Sequence, residues 1–137
     1  MSNERDMRKE VVAALRELDA VSIENGVGIG TPDVNYVGGW LELKHLDAWP
    51  ERASTVVECD LFTPQQRVFI LRRVRAGGRA DVLLKVGRTR PDWVLLPGAW
   101  AAQHLGSEPR RVLVDNCLGA WCGRLVGEEL VACLKRT

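Results

Sequence analysis

Two glycines, Gly38-Gly39, separate two stretches in which apolar and polar residues alternate, Val34 to Val37 and Trp40 to Lys44. Period-two alternation marks a strand with one buried face, and a two-residue glycine loop joins such strands into an antiparallel hairpin. A chain with this feature is committed to a sheet whose two faces differ. With the glycine pair as the turn, Val37 faces Trp40, Asn35 faces Glu42 and Asp33 faces Lys44. Asp33, Asn35, Val37, Trp40, Glu42 and Lys44 then share one face, while Val34, Tyr36, Leu41 and Leu43 form an apolar face suited to a core.

The flanking segments supply the rest of a small domain. Met7, Val11, Ala14, Leu15 and Leu18 fall at the i, i+4, i+7, i+8, i+11 spacing of an amphipathic helix. Val21 to Glu24 reads as a short strand, followed by a flexible Gly26, Gly28, Gly30 connection. Residues 46–62, broken by Pro50, read as a loop. Thr63-Pro64-Gln65-Gln66 is a helix start: Thr63 caps, Pro64 suits the first helical position and Gln66 completes a capping box. That helix runs to about Ala76 and ends at Gly77-Gly78. Asp81 to Val86 and Trp93 to Leu96 are strands across a Gly87–Asp92 turn. The tail reads as a strand near Val112–Val114 and a helix near Leu125–Lys135. The 137 residues suit one domain, with a core over about 7–96 and an extension over about 98–137 of unassigned role. The fold class is α/β (α+β), a small mixed sheet flanked by helices.

The polar hairpin face carries the chemistry. In this register Asp33 lies diagonal to Glu42 with Lys44 directly across. Diagonal cross-strand neighbours sit about 7–8 Å apart, near enough for both carboxylates to grip one ion. Carboxylates and water are the hard oxygen ligands that Mg²⁺ prefers. A lysine beside that ion can orient water or steady the charge that grows on a phosphate. The competing reading is a solvated face of cross-strand ion pairs, each worth a few tenths of a kcal/mol.

Pro32-Asp33, eight intervening residues, then Glu42-Leu43-Lys44 resembles the signature of the PD-(D/E)XK nuclease superfamily. Gly30-Thr31-Pro32-Asp33 and the Thr63-Pro64-Gln65-Gln66 helix ending in Gly77-Gly78 are similar to the small phage and bacterial VRR-NUC and Holliday-junction-resolvase-like members. The resemblance covers roughly residues 7–96 and implies a restriction-endonuclease-like αβββαβ core. It implies Mg²⁺-dependent hydrolysis of DNA phosphodiesters, with Mn²⁺ as a substitute ion. Asp33 and Glu42 would be metal ligands and Lys44 the catalytic lysine. An upstream acid often completes such sites; the candidates are Glu10, Glu17 and Glu24, and Glu24, nearest the motif on a strand expected beside the hairpin, is the favoured one. Gln65 or Gln66 would approach the phosphate or the attacking water. A resolvase-like activity on branched DNA would further imply a homodimer.

Charge points the same way. Between Gln65 and Arg90 stand Arg67, Arg72, Arg73, Arg75, Arg79, Lys85, Arg88 and Arg90 against the single acid Asp81, inside a chain whose net charge is only +1. Phosphate backbones are bound by such local basic surfaces, and arginine fits phosphate bidentately. Two other classes fit the same residues: a catalytically silent nucleic-acid-binding module, and a small basic protein that binds acidic partners. Other motifs carry little. The glycines at 26, 28 and 30 do not make GxGxxG, so no dinucleotide or other organic cofactor is expected. Cys59, Cys117, Cys122 and Cys133 include no CxxC pair and read as free, buried thiols. His45 falls on the apolar face as a packed side chain, and Trp40, on the polar face, could stack near a base. With 46% hydrophobic residues, no run long enough to cross a bilayer and a charged first segment without a signal-like apolar stretch, the expectation is a cytoplasmic protein without membrane contact.

Overall fold

A computed structural model describes residues 4–24 and 29–135. The chain begins with α1 (Glu4–Ala14), whose Met7 and Val11 are fully buried, and a 3₁₀ turn over Arg16–Leu18 carries the same apolar stripe onward. Asp19, in the left-handed conformation (φ 52°), ends it. Then come β1 (Val21–Ser22), β2 (Val34–Tyr36), β3 (Gly39–Leu46), α2 (Pro64–Arg75), β4 (Ala80–Val86) and β5 (Asp92–Pro97). The tail adds α3 (Gly98–His104), α4 (Arg110–Asp115), β6 (Gly119–Cys122) and α5 (Gly127–Leu134). The strands form one six-stranded sheet in chain order β1 to β6. Only the β3–β4 pair, bridged by α2, is parallel; the others are antiparallel. The fold is thus α+β with a mixed sheet, and its first six helices and strands follow an αβββαβ order.

Both faces of the sheet are covered. On one side, Met7, Val11 and Leu15 of the first helical segment and Leu130, Val131 and Leu134 of α5 pack on Val34, Tyr36, Leu41, Leu43, Leu83, Trp93 and Leu95. On the other, Ile70, Ala101, Leu105 and Leu113 from the α2–α4 layer pack on Val82, Leu84, Val94 and Leu96. All seven residues of β4 are buried, as a central strand between two layers requires. The capping box of α2 forms: Gln66 N donates to Thr63 Oγ1 (3.2 Å) and Thr63 N to Gln66 Oε1 (2.9 Å). The helix closes in a Schellman motif, with Gly78 N donating to Arg73 O and Gly77 N to Val74 O while Gly77 takes φ 97°.

The hairpin register differs from the expected one by two residues. Asn35 pairs with Trp40 and Tyr36 with Gly39, so the turn is Val37-Gly38, with Gly38 at φ 118°. Gly39 belongs to the strand because the Arg79 carbonyl lies against it, where a Cβ would collide. A slip of two preserves parity, so every side chain keeps its expected face.

In the tail the helix expected near Leu125–Lys135 forms as α5 (Gly127–Leu134), while the other expectations fail. Val112–Val114 is part of the helix α4 rather than a strand. α3 and β6 were not anticipated, and β1 spans only Val21–Ser22 of the expected Val21–Glu24, with Ile23 N adding one bond to Asp33 O. Gly26 and Gly28 of the expected connection lie outside the described residues. Among the described residues, no helix is long and apolar enough to cross a membrane.

Candidate functional site

The site is built where β2 stops and β3 continues. The β2 ladder ends at Val34, so the next amide of β3 on that side would lack a partner; Asp33 Oδ2 accepts from Leu43 N at 2.8 Å and fills the place. The observed register, extended one step, sets Asp33 directly opposite Glu42 rather than diagonal to it. From the α1 side, Arg8 Nη2 reaches Asp33 Oδ1 at 2.9 Å. Glu42 and Lys44, two residues apart on β3, both project toward the α2 layer, and Lys44 Nζ lies 3.2 Å from Glu42 Oε2. Lys44 also donates to the Leu61 carbonyl at 2.9 Å and stands 5.8 Å from the Phe62 ring centre.

These groups lie deep. The side chains of Glu42 and Lys44 are 2% and 5% exposed, whereas Asp33 keeps 15%. Burial, with the negative charge of Asp33 second, pushes the Glu42 carboxyl up to about 8 against the pull of Lys44. Its Oε2 meets Lys44; its Oε1 is buried and meets no donor, and the carboxyl stands within side-chain hydrogen-bond reach of Asp33. Lys44 borders a hollow of about 330 Å³ that it shares with Asp60 and Leu61. Two carboxylates and an amine are therefore assembled, one carboxylate oxygen being unsatisfied. Among the described residues, no group of three or more His, Cys, Asp or Glu side chains is placed to hold a metal ion. The donor set is the Asp33–Glu42 pair alone, which suits an ion that keeps most of its waters.

None of the three upstream acids joins this pair. Glu10 pairs with Lys85 at 3.2 Å, and strand parity places Lys85 on the α1 side of the sheet, opposite Glu42. Glu17 pairs with Lys135 at the surface. Glu24 is exposed and, one step beyond Ile23, falls on the face opposite Asp33. The Gln66 side-chain carbonyl is engaged in the α2 cap, and exposed Gln65 contributes backbone that packs closely on Gly30 (φ 84°). The contact ties the segment leading to Asp33 to the start of α2.

The basic segment divides in two. Arg67 donates to the carbonyls of Phe62, Ala102 and Leu105, Arg79 pairs with Asp81 and donates to Cys133 O, and Lys85 is buried over Trp93. These three, expected to bind DNA, are engaged within the protein. Arg72, Arg73 and Arg75 are exposed on α2, and Arg88 and Arg90 are exposed on the β4–β5 turn, where Arg88 pairs with Asp47. Trp40 is packed edge-on against Phe69 under Arg73, and His45 faces the Gly87 carbonyl. The four cysteines are free as expected, but the expected burial holds only for Cys59 and Cys133; Cys117 is half-buried and Cys122, on the edge strand β6, is exposed. Sequence reasoning also missed Arg8 and the Leu61 carbonyl. The signal for Arg8 was available, since Arg5, Arg8 and Lys9 form an i, i+3, i+4 stripe beside the apolar one. Compared with known proteins, the chain matches no family model, no curated protein and no solved structure.

Proposed function

We propose that the protein is a metal-dependent deoxyribonuclease that hydrolyses DNA phosphodiester bonds with Mg²⁺, centred on Asp33, Glu42 and Lys44. The observation that carries this reading is the buried Glu42 carboxyl, whose Oε1 meets no donor, set within hydrogen-bond reach of the Asp33 carboxylate so that the pair holds a proton where a cation would fit. Leaving such a group unsatisfied costs on the order of 1–3 kcal/mol, and two carboxylates sharing a low-dielectric site repel. A divalent cation relieves both, and carboxylate oxygens are its natural ligands. Asp33 and Glu42 would hold Mg²⁺, or Mn²⁺ in its place. Bound there, the ion supplies polarisation of a phosphoryl oxygen and acidification of water. Arg8 and the Leu43 amide fix the Asp33 carboxylate, each oxygen of which retains a second lone pair. Lys44 has three N–H donors, two engaged by Leu61 and Glu42, leaving one to orient water or to meet the charge on a phosphate. Arg72, Arg73 and Arg75 supply exposed guanidinium groups for the backbone.

Branched DNA is the proposed substrate and a two-fold homodimer the proposed assembly, since resolving a junction needs two sites. A cytoplasmic setting goes with this reading. One observation favours a second reading: the near-complete burial of Glu42 and Lys44 suits a structural ion pair in a catalytically silent nucleic-acid-binding module. Cleavage of labelled linear, flapped and four-way DNA, with and without Mg²⁺, separates the two. The wild type should cut only with the ion, and Lys44→Ala should bind DNA yet turn over at least about a hundredfold more slowly, as loss of one electrostatic catalytic group costs. DNA bound but never cut establishes the silent module; a Lys44→Ala variant at full rate removes Lys44 from the chemistry.

A further inference from the structure

Beyond the Asp33 centre, α1 presents a second basic feature outside the 65–90 segment. Arg5, Arg8, Lys9, Val12 and Arg16 follow one stripe of the first helical segment and line a cavity of about 470 Å³ closed by Ala20, Ser22 and Glu24. Two acids of the same segment point elsewhere: Glu10 to Lys85 and Glu17 to Lys135. Four cations thus face the cavity against Asp19 and Glu24, over a floor of Val12, Ala13 and Ala20. Arg8 gives a second, independent indication of a ligand. Its Nη2 holds Asp33, but its Nε is buried with no hydrogen-bond partner, and a donor left in that state calls for an acceptor.

We propose that this cavity binds a backbone phosphate of the nucleic-acid strand whose neighbouring phosphate would lie at the cation held by Asp33 and Glu42, with Arg8, which holds Asp33, between the two places. The identity of the strand rests on the nuclease reading above. A turn of the Arg8 side chain brings its Nε–H, sealed from solvent as the side chain stands, to a phosphate in the cavity, and the forked donors of Arg5 and Arg16 match the same group. The apolar floor leaves room for a sugar edge beside it.

The test runs without divalent ions, so that it reads binding rather than turnover. A short fluorescein-labelled single-stranded oligonucleotide is titrated by anisotropy, over a salt series, against the wild type and two triple variants. One is Arg5→Gln/Lys9→Gln/Arg16→Gln, all at exposed positions; the control, Arg52→Gln/Arg110→Gln/Arg111→Gln, removes equal charge from exposed positions away from the cavity and from the 65–90 segment. The cavity variant should bind at least about tenfold more weakly, and the slope of log affinity against log salt should fall by about 0.7 for each phosphate no longer neutralised. The control should leave both nearly unchanged. Inorganic phosphate added to the ¹⁵N-labelled wild type should shift the Arg8 Nε–H resonance. Equal losses in both triple variants, or an Arg8 resonance blind to phosphate, would overturn the proposal. If the cavity variant loses affinity while the wild type never cleaves with Mg²⁺, the cavity stands and the hydrolytic reading alone falls.

Discussion

Glu42 is the residue under most tension in this molecule, because it is buried between a like charge and an opposite one. Its carboxyl ionises near 8 in the folded chain and near 4.5 when unfolded. Between those values the folded state binds the extra proton, so this group's contribution to stability is complete below about 4.5 and is lost as pH rises through 8. The melting temperature of the wild type in chelator should therefore fall from about pH 5 toward about pH 8, and the fall should be much smaller in Glu42→Gln. Saturating Mg²⁺ should reverse it in the wild type only, since an ion prefers the ionised carboxylate. Cleavage should rise with pH over the same range. The ion pair itself is a poor source of stability: replacing both partners of a buried pair by apolar residues of similar volume is often neutral or better. Glu42→Leu/Lys44→Met should melt no lower than the wild type by calorimetry and lack all cleavage. A double variant that melts well below it would assign the pair a structural role. At this scale the sequence was a good guide to the two carboxylates and the amine, since strand parity alone places them on one face. It could not reveal Arg8 on Asp33 or the Leu61 carbonyl on Lys44, which come together only through tertiary packing.

At the scale of the element, local signals succeeded where each signal had its own chemistry. The α2 helix begins and ends as Thr63, Pro64, Gln66 and Gly77-Gly78 dictate, because caps satisfy backbone groups within a few residues. Thr63→Ala should cost about 1 kcal/mol in denaturant unfolding. Gln66→Ala should add little to that cost, because both side chains serve one reciprocal motif. Additive losses would show that Gln66 has a second partner. The hairpin was legible in parity but not in register, because the choice between Gly38-Gly39 and Val37-Gly38 as the turn depends on Arg79, far along the chain, pressing its carbonyl on Gly39. Val112–Val114 misled for the reason that β-branched residues generally do: propensity is weak beside packing. Here the segment coils after Pro109 so that Leu113 enters the core while Val114 stays exposed. The short α3 gave no sign at all, since Gly98, its first residue, is there for proximity: a Cβ would overlap the Ala80 carbonyl. Gly98→Val should leave little soluble folded protein on expression, whereas the same change at Gly123 should cost only the strain of its positive φ.

For the whole molecule, the sequence predicted a mixed sheet between helical layers, and the fold has that form. Net charge was a weaker guide. The basic count over residues 65–90 overstated the basic surface, because Arg67, Arg79 and Lys85 face inward, and it passed over the α1 stripe that lines a cavity. Charge along a chain becomes a surface only once the fold decides which side chains leave water. The account of the entire molecule reduces to one claim: the Asp33–Glu42 pair at the end of β2 is a divalent-cation site. Mn²⁺ titration followed by electron paramagnetic resonance at pH above about 8, where Glu42 is ionised, tests it most directly. The account predicts one bound ion per chain in the wild type, displaced by Mg²⁺, and none in Glu42→Gln. Binding of equal strength in the wild type and in Glu42→Gln, or no binding in either, would contradict it.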